Sequence, residues 1–310
     1  MMKGLMTRKA MPVGKILIML LLLGAVTLAP SVSAEAKWVK TGKYYRYTTN
    51  AEGTEYYRNQ WVKIDGRYYY FNKKGYRKTG WLTYNGKKYY LDKNGIRVTG
   101  MKTIKNKKYY FTKKGVMVTG WLKYRNNYYY ANSKGVLQTG LRAIGNYVYY
   151  FDSDGVRVTN VHISFGNMAY YFSNNGTLQY TGSEEEKAVK YINVRRMLKR
   201  LDPLTYYSDS NLAYAASRRA WELSMQTSHT RPGGANYSTV LTNDYPMSVY
   251  WSGECILWGG RRSGTETAAN WLANSNANVL LQNGANGIGV AAYTDASGHQ
   301  YWVAIVVQTK

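Results

Sequence analysis

The sequence predicts a multidomain protein: an all-β array of hairpins over residues 35–182, followed by an α/β domain over residues 183–310. Three observations predict this. Up to Gly182, a phrase of Gly-Trp, a Tyr pair and Thr-Gly returns about every twenty residues. After Gly182 the apolar period changes from that of a strand to that of a helix. Near the end, two alternating apolar segments flank a "TDASG" turn.

The first element is a leader. Lys3, Arg8, Lys9 and Lys15 precede an apolar run from Ile16 to Leu28 and the small-residue segment "APSVSA". This pattern predicts a signal peptide over residues 1–34, cut after Ala34. The run is shorter than the roughly 20 residues of a spanning helix, so export without a membrane span is expected. The single cysteine, Cys255, cannot form an internal bridge, and both parts must hold together by packing.

The repeat units begin at Trp61, Trp81, Met101, Trp121, Leu141 and Val161, with a divergent copy from Trp38, about six or seven in all. Each unit reads as two short strands around a turn. Tyr, Val, Ile and Thr favour the pleated surface, and Gly66, Gly86 and Gly145 mark the turns. Asn106 and Asn126 stand where two units lack that glycine, as residues tolerant of positive φ. A single hairpin of this length is marginal in water, so the copies are expected to stack as a β-solenoid. The chain carries a net charge of +25. About +4 falls before Ala34, about +19 between Glu35 and Gly182, and about +2 beyond. Such a surface is drawn to a polyanion. For an exported bacterial chain that points to wall or membrane polyanions and away from nucleic acid.

The recurring Gly-Trp, Gly, Tyr-Tyr, Gly, Thr-Gly register resembles the cell-wall-binding repeat of choline-binding type. The resemblance implies a secreted Gram-positive protein associated with the cell wall, with aromatic-walled sites between successive hairpins. The polymer-binding candidates are Trp61, Trp81, Trp121, Tyr69, Tyr90, Tyr110, Tyr129, Lys88 and Lys108. These aromatics equally suit an inter-repeat core. In one place the chain departs from the family: Arg67, Lys88, Lys108 and Asn127 are read as replacing the second tryptophan of the cage. A cation beside the groove repels a quaternary ammonium, so a teichoic acid or glycan is expected in preference to choline.

The second part opens with "SEEEKAVKYINVRRMLKRLD", in which Ser183 and Glu186 form a capping box and Pro203 breaks the helix. A second helix is predicted from about Ser210, with Leu212, Ala215, Ala216, Ala220 and Leu223 on one face. A third covers Thr265 to Leu272, and "IGVAAY" and "QYWVAIVV" form the closing hairpin. The order "YINVRR", "PL", "RAWEL", "SHTRPGG", "GECI" and "IGVAAY" resembles the CAP superfamily of cysteine-rich secretory, antigen 5 and pathogenesis-related 1 proteins. That resemblance implies a three-layer α-β-α sandwich with an open cleft, and candidate cleft residues His229, Glu222 and Glu254.

Glu222 lies seven residues before His229, two helical turns if the helix persists that far. The family's second histidine is absent: Ser275 or Asn276 falls in its place, and His162 and His299 do not match it. His229 is thus a weak metal candidate, because one histidine and two carboxylates make a poor zinc site. Three further readings stay open. Glu222 and His229 form a structural pair with Arg231 as another partner. His229 acts as a general base with Ser228 or Cys255 as nucleophile, making a wall-targeted peptide or glycan hydrolase. Or the surface is that of an adhesin or host-interaction protein, its ligand unknown.

Overall fold

The computed structural model describes residues 36–310. The predicted leader, residues 1–34, lies outside the described residues. The chain divides into two compact units, one reaching Lys102 and including Phe111–Met117, the other made of Thr103–Tyr110 and Val118–Lys310.

The first half is built from short strands: β1 (Trp38–Thr41), β2 (Tyr44–Tyr47), β3 (Gln60–Ile64), β4 (Arg67–Phe71), β5 (Gly80–Tyr84), β6 (Lys87–Leu91), β7 (Gly100–Ile104), β8 (Lys107–Phe111), β9 (Gly120–Tyr124), β10 (Asn127–Ala131), β11 (Gly140–Ile144) and β12 (Tyr147–Phe151). Strands β13 (Val161–Phe165), β14 (Met168–Phe172) and β15 (Leu178–Gln179) close the series as a three-stranded sheet. The turns obey the left-handed requirement read from the sequence. Asp65-Gly66, Asn85-Gly86, Lys105-Asn106 and Arg125-Asn126 have positive φ at both central residues, the mark of the type I′ hairpin turn.

Pairing fixes which side chains share a face. Trp61 stands opposite Tyr70, Trp81 opposite Tyr90, Trp121 opposite Tyr130 and Leu141 opposite Tyr150. The first tyrosine of each pair lies on the other face, where Tyr69 and Tyr129 are buried. Strand position also corrects the alignment of the units. Tyr68 and Tyr128 occupy the place of Lys88 in the hairpin, as their partners Lys63, Lys123 and Thr83 show. Arg67 and Asn127 sit one residue earlier, beside the turn. The third aromatic is therefore present in two of the units where the sequence reading placed Arg67 or Asn127.

The second half contains α1 (Glu184–Leu198), α2 (Asn211–Met225), β16 (Val249–Gly259), α3 (Gly264–Leu272), α4 (Ala277–Leu280), β17 (Gly287–Thr294) and β18 (Gln300–Thr309). Helix starts fall where the polar caps predict. The side chains of Ser183, Ser210 and Ser263 accept from the third backbone N–H beyond each of them. The reciprocal half of a capping box, however, is made by Glu266 at Ser263 and not, as expected, by Glu186 at Ser183. The sheet order is β16-β18-β17, antiparallel throughout. Alternate residues of β18 feed two cores. Trp302, Ala304 and Val306 pack with Ala188, Ile192 and Trp271 of α1 and α3. Val303, Ile305 and Val307 pack with Leu212, Ala216 and Leu223 of α2. Two glycines permit the close approach: a Cβ on Gly264 would run into the Glu184 carbonyl, and one on Gly289 into that of Leu212.

The core does not stop where the repeats stop. Met168, Tyr170 and Phe172 of β14 belong to the same buried cluster as α1 and β18. Asn193, fully buried, receives the Leu204 amide at 2.7 Å and donates to the Leu204 carbonyl at 2.9 Å. Asn167 reaches from the β13–β14 turn to donate to the Tyr206 carbonyl at 2.6 Å. Lys190 is buried and donates to the Thr181 carbonyl at 2.7 Å. Burial pushes the Tyr170 phenol up to about 12.

Candidate functional sites

On the hairpins, a backbone bond ties each unit to one further back. The amides of Arg97, Met117, Leu137 and Arg157 donate to the carbonyls of Tyr68, Lys88, Lys108 and Tyr128 at 2.8–2.9 Å. Arg77 does the same to Tyr45 at 2.7 Å. Three tryptophans then meet the first tyrosine of a later pair: Trp38 with Tyr69 at 5.1 Å, Trp61 with Tyr89 at 5.1 Å and Trp121 with Tyr149 at 4.9 Å between ring centroids. So Tyr69 walls the space beside Trp38, and Tyr89 and Tyr149 join the cross-strand Tyr70 and Tyr130 beside Trp61 and Trp121. Tyr90 and Tyr110 instead pack on Trp81 and Tyr124 respectively. Trp81 and Trp121 remain exposed.

Three of these spaces hold an arginine that the sequence reading did not single out. The Arg97 guanidinium lies 4.0 Å from the Tyr68 ring centroid and 5.8 Å from that of Trp61. Arg157 lies 4.5 Å from Tyr128 and 5.8 Å from Trp121, and Arg77 4.4 Å from Tyr45 and 5.6 Å from Trp38. The signal was present in the sequence, because Arg77, Arg97 and Arg157 share one register two residues before a threonine. Their aromatic partners, however, lie in earlier units.

In the second half, Arg219 of α2 is fully buried between the two candidate carboxylates. Its Nε donates to Glu254 at 2.8 Å, its Nη1 to Glu222 at 2.8 Å and its Nη2 to the Ser228 carbonyl at 3.0 Å. Glu222 also accepts from Arg218 at 3.0 Å and from Arg231 at 2.7 Å, and Arg231 reaches Asp244. Burial works to raise the Glu222 pKa, but the donated bonds from Arg231 and Arg219 outweigh it, and the carboxyl sits below its ordinary value.

His229 is not the partner of Glu222. Helix α2 ends at Met225, so the two-turn spacing does not carry through, and the His229 Nδ1 instead bonds Glu254 at 2.8 Å. An ionised carboxylate only accepts, so this nitrogen carries the proton. The rest of the ring is open, its side chain 55% exposed. Neither proposed nucleophile stands beside it. The Ser228 hydroxyl bonds Thr230 at 2.7 Å. Cys255 is buried on the opposite face of β16, against the Asn276 carbonyl, and burial pushes its thiol up. Among the described residues no group of three His, Cys, Asp or Glu side chains is placed to hold a metal. The donor set does not fit zinc, because three arginines occupy Glu222, and Glu254 is held by Arg219 and by the one histidine.

The choline-binding repeat family matches residues 58–95, 98–137 and 138–182, and the cysteine-rich secretory protein family matches residues 189–306. The chain therefore carries choline-binding repeats followed by a CAP domain. Among solved structures it is similar to choline binding protein F from Streptococcus pneumoniae, at 34% identity over 46% of this chain and 47% of that one, with a TM-score of 0.42. It is similar also to CbpJ from Streptococcus pneumoniae TIGR4, at 29% identity over 46% and 48%, with a TM-score of 0.43. A third is the multimodular pneumococcal cell wall endolysin from phage Cp-1 complexed with choline, at 34% identity over 42% and 38%, with a TM-score of 0.32. The chain spans less than half the length of each. No curated protein matches it. Among the described residues no helix is long and apolar enough to cross a membrane.

Proposed function

We propose that this is an exported, wall-attached bacterial protein whose hairpins grip an anionic wall polymer of teichoic-acid type and display the CAP domain. One observation carries the reading. The hairpin half holds most of the chain's positive charge, yet among its described residues a single ion pair forms, Lys108 with Asp154 at 2.6 Å. Lys87, Lys88, Lys93, Lys107, Lys113 and Lys114 are exposed without a carboxylate partner. Their charge is available to a polyanion, and a ladder of copies multiplies the attachment. The unit-to-unit backbone bonds support reading the hairpins as a β-solenoid, and the two cores flanking β18 support a three-layer α-β-α sandwich. The CAP cleft, its carboxylates held by arginine and His229, is best read as a binding surface whose ligand is set by its loops.

The test uses residues 35–310 intact, because a cut at 182 would open the core shared with β14. The protein is sedimented with purified Gram-positive walls, before and after teichoic acid removal, under rising salt and with choline as competitor. Release by salt and by teichoic acid removal, with choline inert, is the expected result. Release by choline alone would overturn the anionic-polymer reading.

A further inference from the structure

We propose that Arg77, Arg97 and Arg157 are resident cations that close three aromatic cages against quaternary ammonium ligands. The inference deepens the polymer-binding reading, on which its biological meaning rests.

Two rings face each guanidinium: Trp38 and Tyr45 for Arg77, Trp61 and Tyr68 for Arg97, and Trp121 and Tyr128 for Arg157. Tyr89 packs on Trp61 beside Arg97. The negative ring faces are what attract a cation. That attraction is already satisfied by the chain. None of the three arginines forms an ion pair among the described residues, and each Nε is buried without a hydrogen-bond partner. Arg97 Nη2 also reaches the Lys113 carbonyl at 3.4 Å, but the unpartnered Nε of all three marks a position where the π cloud faces the charge.

The glycines show that the space is filled by design of the sequence. A Cβ built on Gly95 would stand 2.6 Å from Arg77 Cδ, on Gly115 2.5 Å from Arg97 Cδ and on Gly176 2.7 Å from Arg157 Cδ. Gly155 shows the alternative: Leu137 occupies the corresponding register, and a Cβ there would meet nothing closer than the Gln138 carbonyl at 3.3 Å. The arginine stem lies over the glycine, and leucine does not.

The remaining units follow the same charge rule in reverse. Where the carbonyl partner is a tyrosine (Tyr45, Tyr68 or Tyr128), the amide donor is arginine. Where it is Lys88 or Lys108, the donor is Met117 or Leu137. Each of these five pairs thus carries one cation, supplied by one strand or the other and never by both. Two cations would repel at this distance, and a third, from a ligand, meets the same repulsion.

The experiment measures choline chloride binding to residues 35–310 by calorimetry and tryptophan fluorescence, for the wild type and for the triple variant Arg77→Ala, Arg97→Ala and Arg157→Ala. The variant is expected to bind choline at least tenfold more tightly than the wild type, with the fluorescence change reporting Trp38, Trp61 and Trp121. Arg97→Ala alone should gain about a third of the sites, which keeps the test intact if the triple variant unfolds. Equal binding by wild type and variant, or no binding by a variant with wild-type circular dichroism, would overturn the inference. Wall sedimentation run on the same samples separates the two ideas. A wild type that ignores walls defeats the polymer reading, while the gain of choline binding stands or falls by itself.

Discussion

Arginine does opposite work in the two halves of this chain. In the CAP domain Arg219 lies between Glu222 and Glu254, and the charges cancel inside the fold. In the hairpins Arg97 and Arg157 lie against rings that carry no net charge, so the positive field survives to the surface. A buried cation facing carboxylates seals a site. The same cation facing tyrosine leaves the site charged and changes which ligands can enter it.

The strongest way to break this contrast is Arg219→Met. It leaves buried Glu254 with His229 alone and takes one of three arginines from Glu222, and should cost about 3–5 kcal/mol, read as a lowered unfolding midpoint. Acid should act on the same cluster. Because the folded Glu222 carboxyl sits below its ordinary value, its contribution is complete above the unfolded value of about 4.3 and is lost as pH falls through the folded value. Glu222→Gln should flatten that acid limb in urea titrations at stepped pH; an unchanged limb would show that the arginines do not hold the charge.

Smaller effects sharpen the other side. Gly115→Ala places a Cβ at φ +77° against Arg97, and should cost roughly 1–2 kcal/mol while shifting the Trp61 fluorescence. His229→Ala removes a half-exposed ring from one carboxylate and should cost less than about 1 kcal/mol, with wall sedimentation unchanged. Complete loss of any measured turnover in that variant would favour the hydrolase reading instead.

Local chemistry was legible in the sequence. The hairpins, their positive-φ asparagines at 106 and 126, and the helix starts at Ser183 and Ser210 all follow from rules acting within a few residues. Strand β16 was harder, because Gly253, Glu254 and Cys255 interrupt its apolar alternation, and "GECI" was read only as a motif. The two sites were legible as residue types but not as pairings. Glu254 reaches His229 across 25 residues, and Arg97 reaches Trp61 across 36, distances at which spacing holds no information about contact. The misplaced Arg67 and Asn127 show the same limit: glycine spacing set the phrase, whereas cross-strand pairing sets the register.

The buried Asn193 and the β14 residues around it bear on how such a chain can be assembled from parts. An upstream hairpin can be gained or lost as a bead on a string, since its neighbours offer another of the same kind. The hairpin from Val161 to Phe172 has no such freedom, being wall as well as link to the CAP domain. Recombination that exchanged one array for another would therefore have to carry this last hairpin along with the cargo, and the natural seam for grafting lies upstream of it.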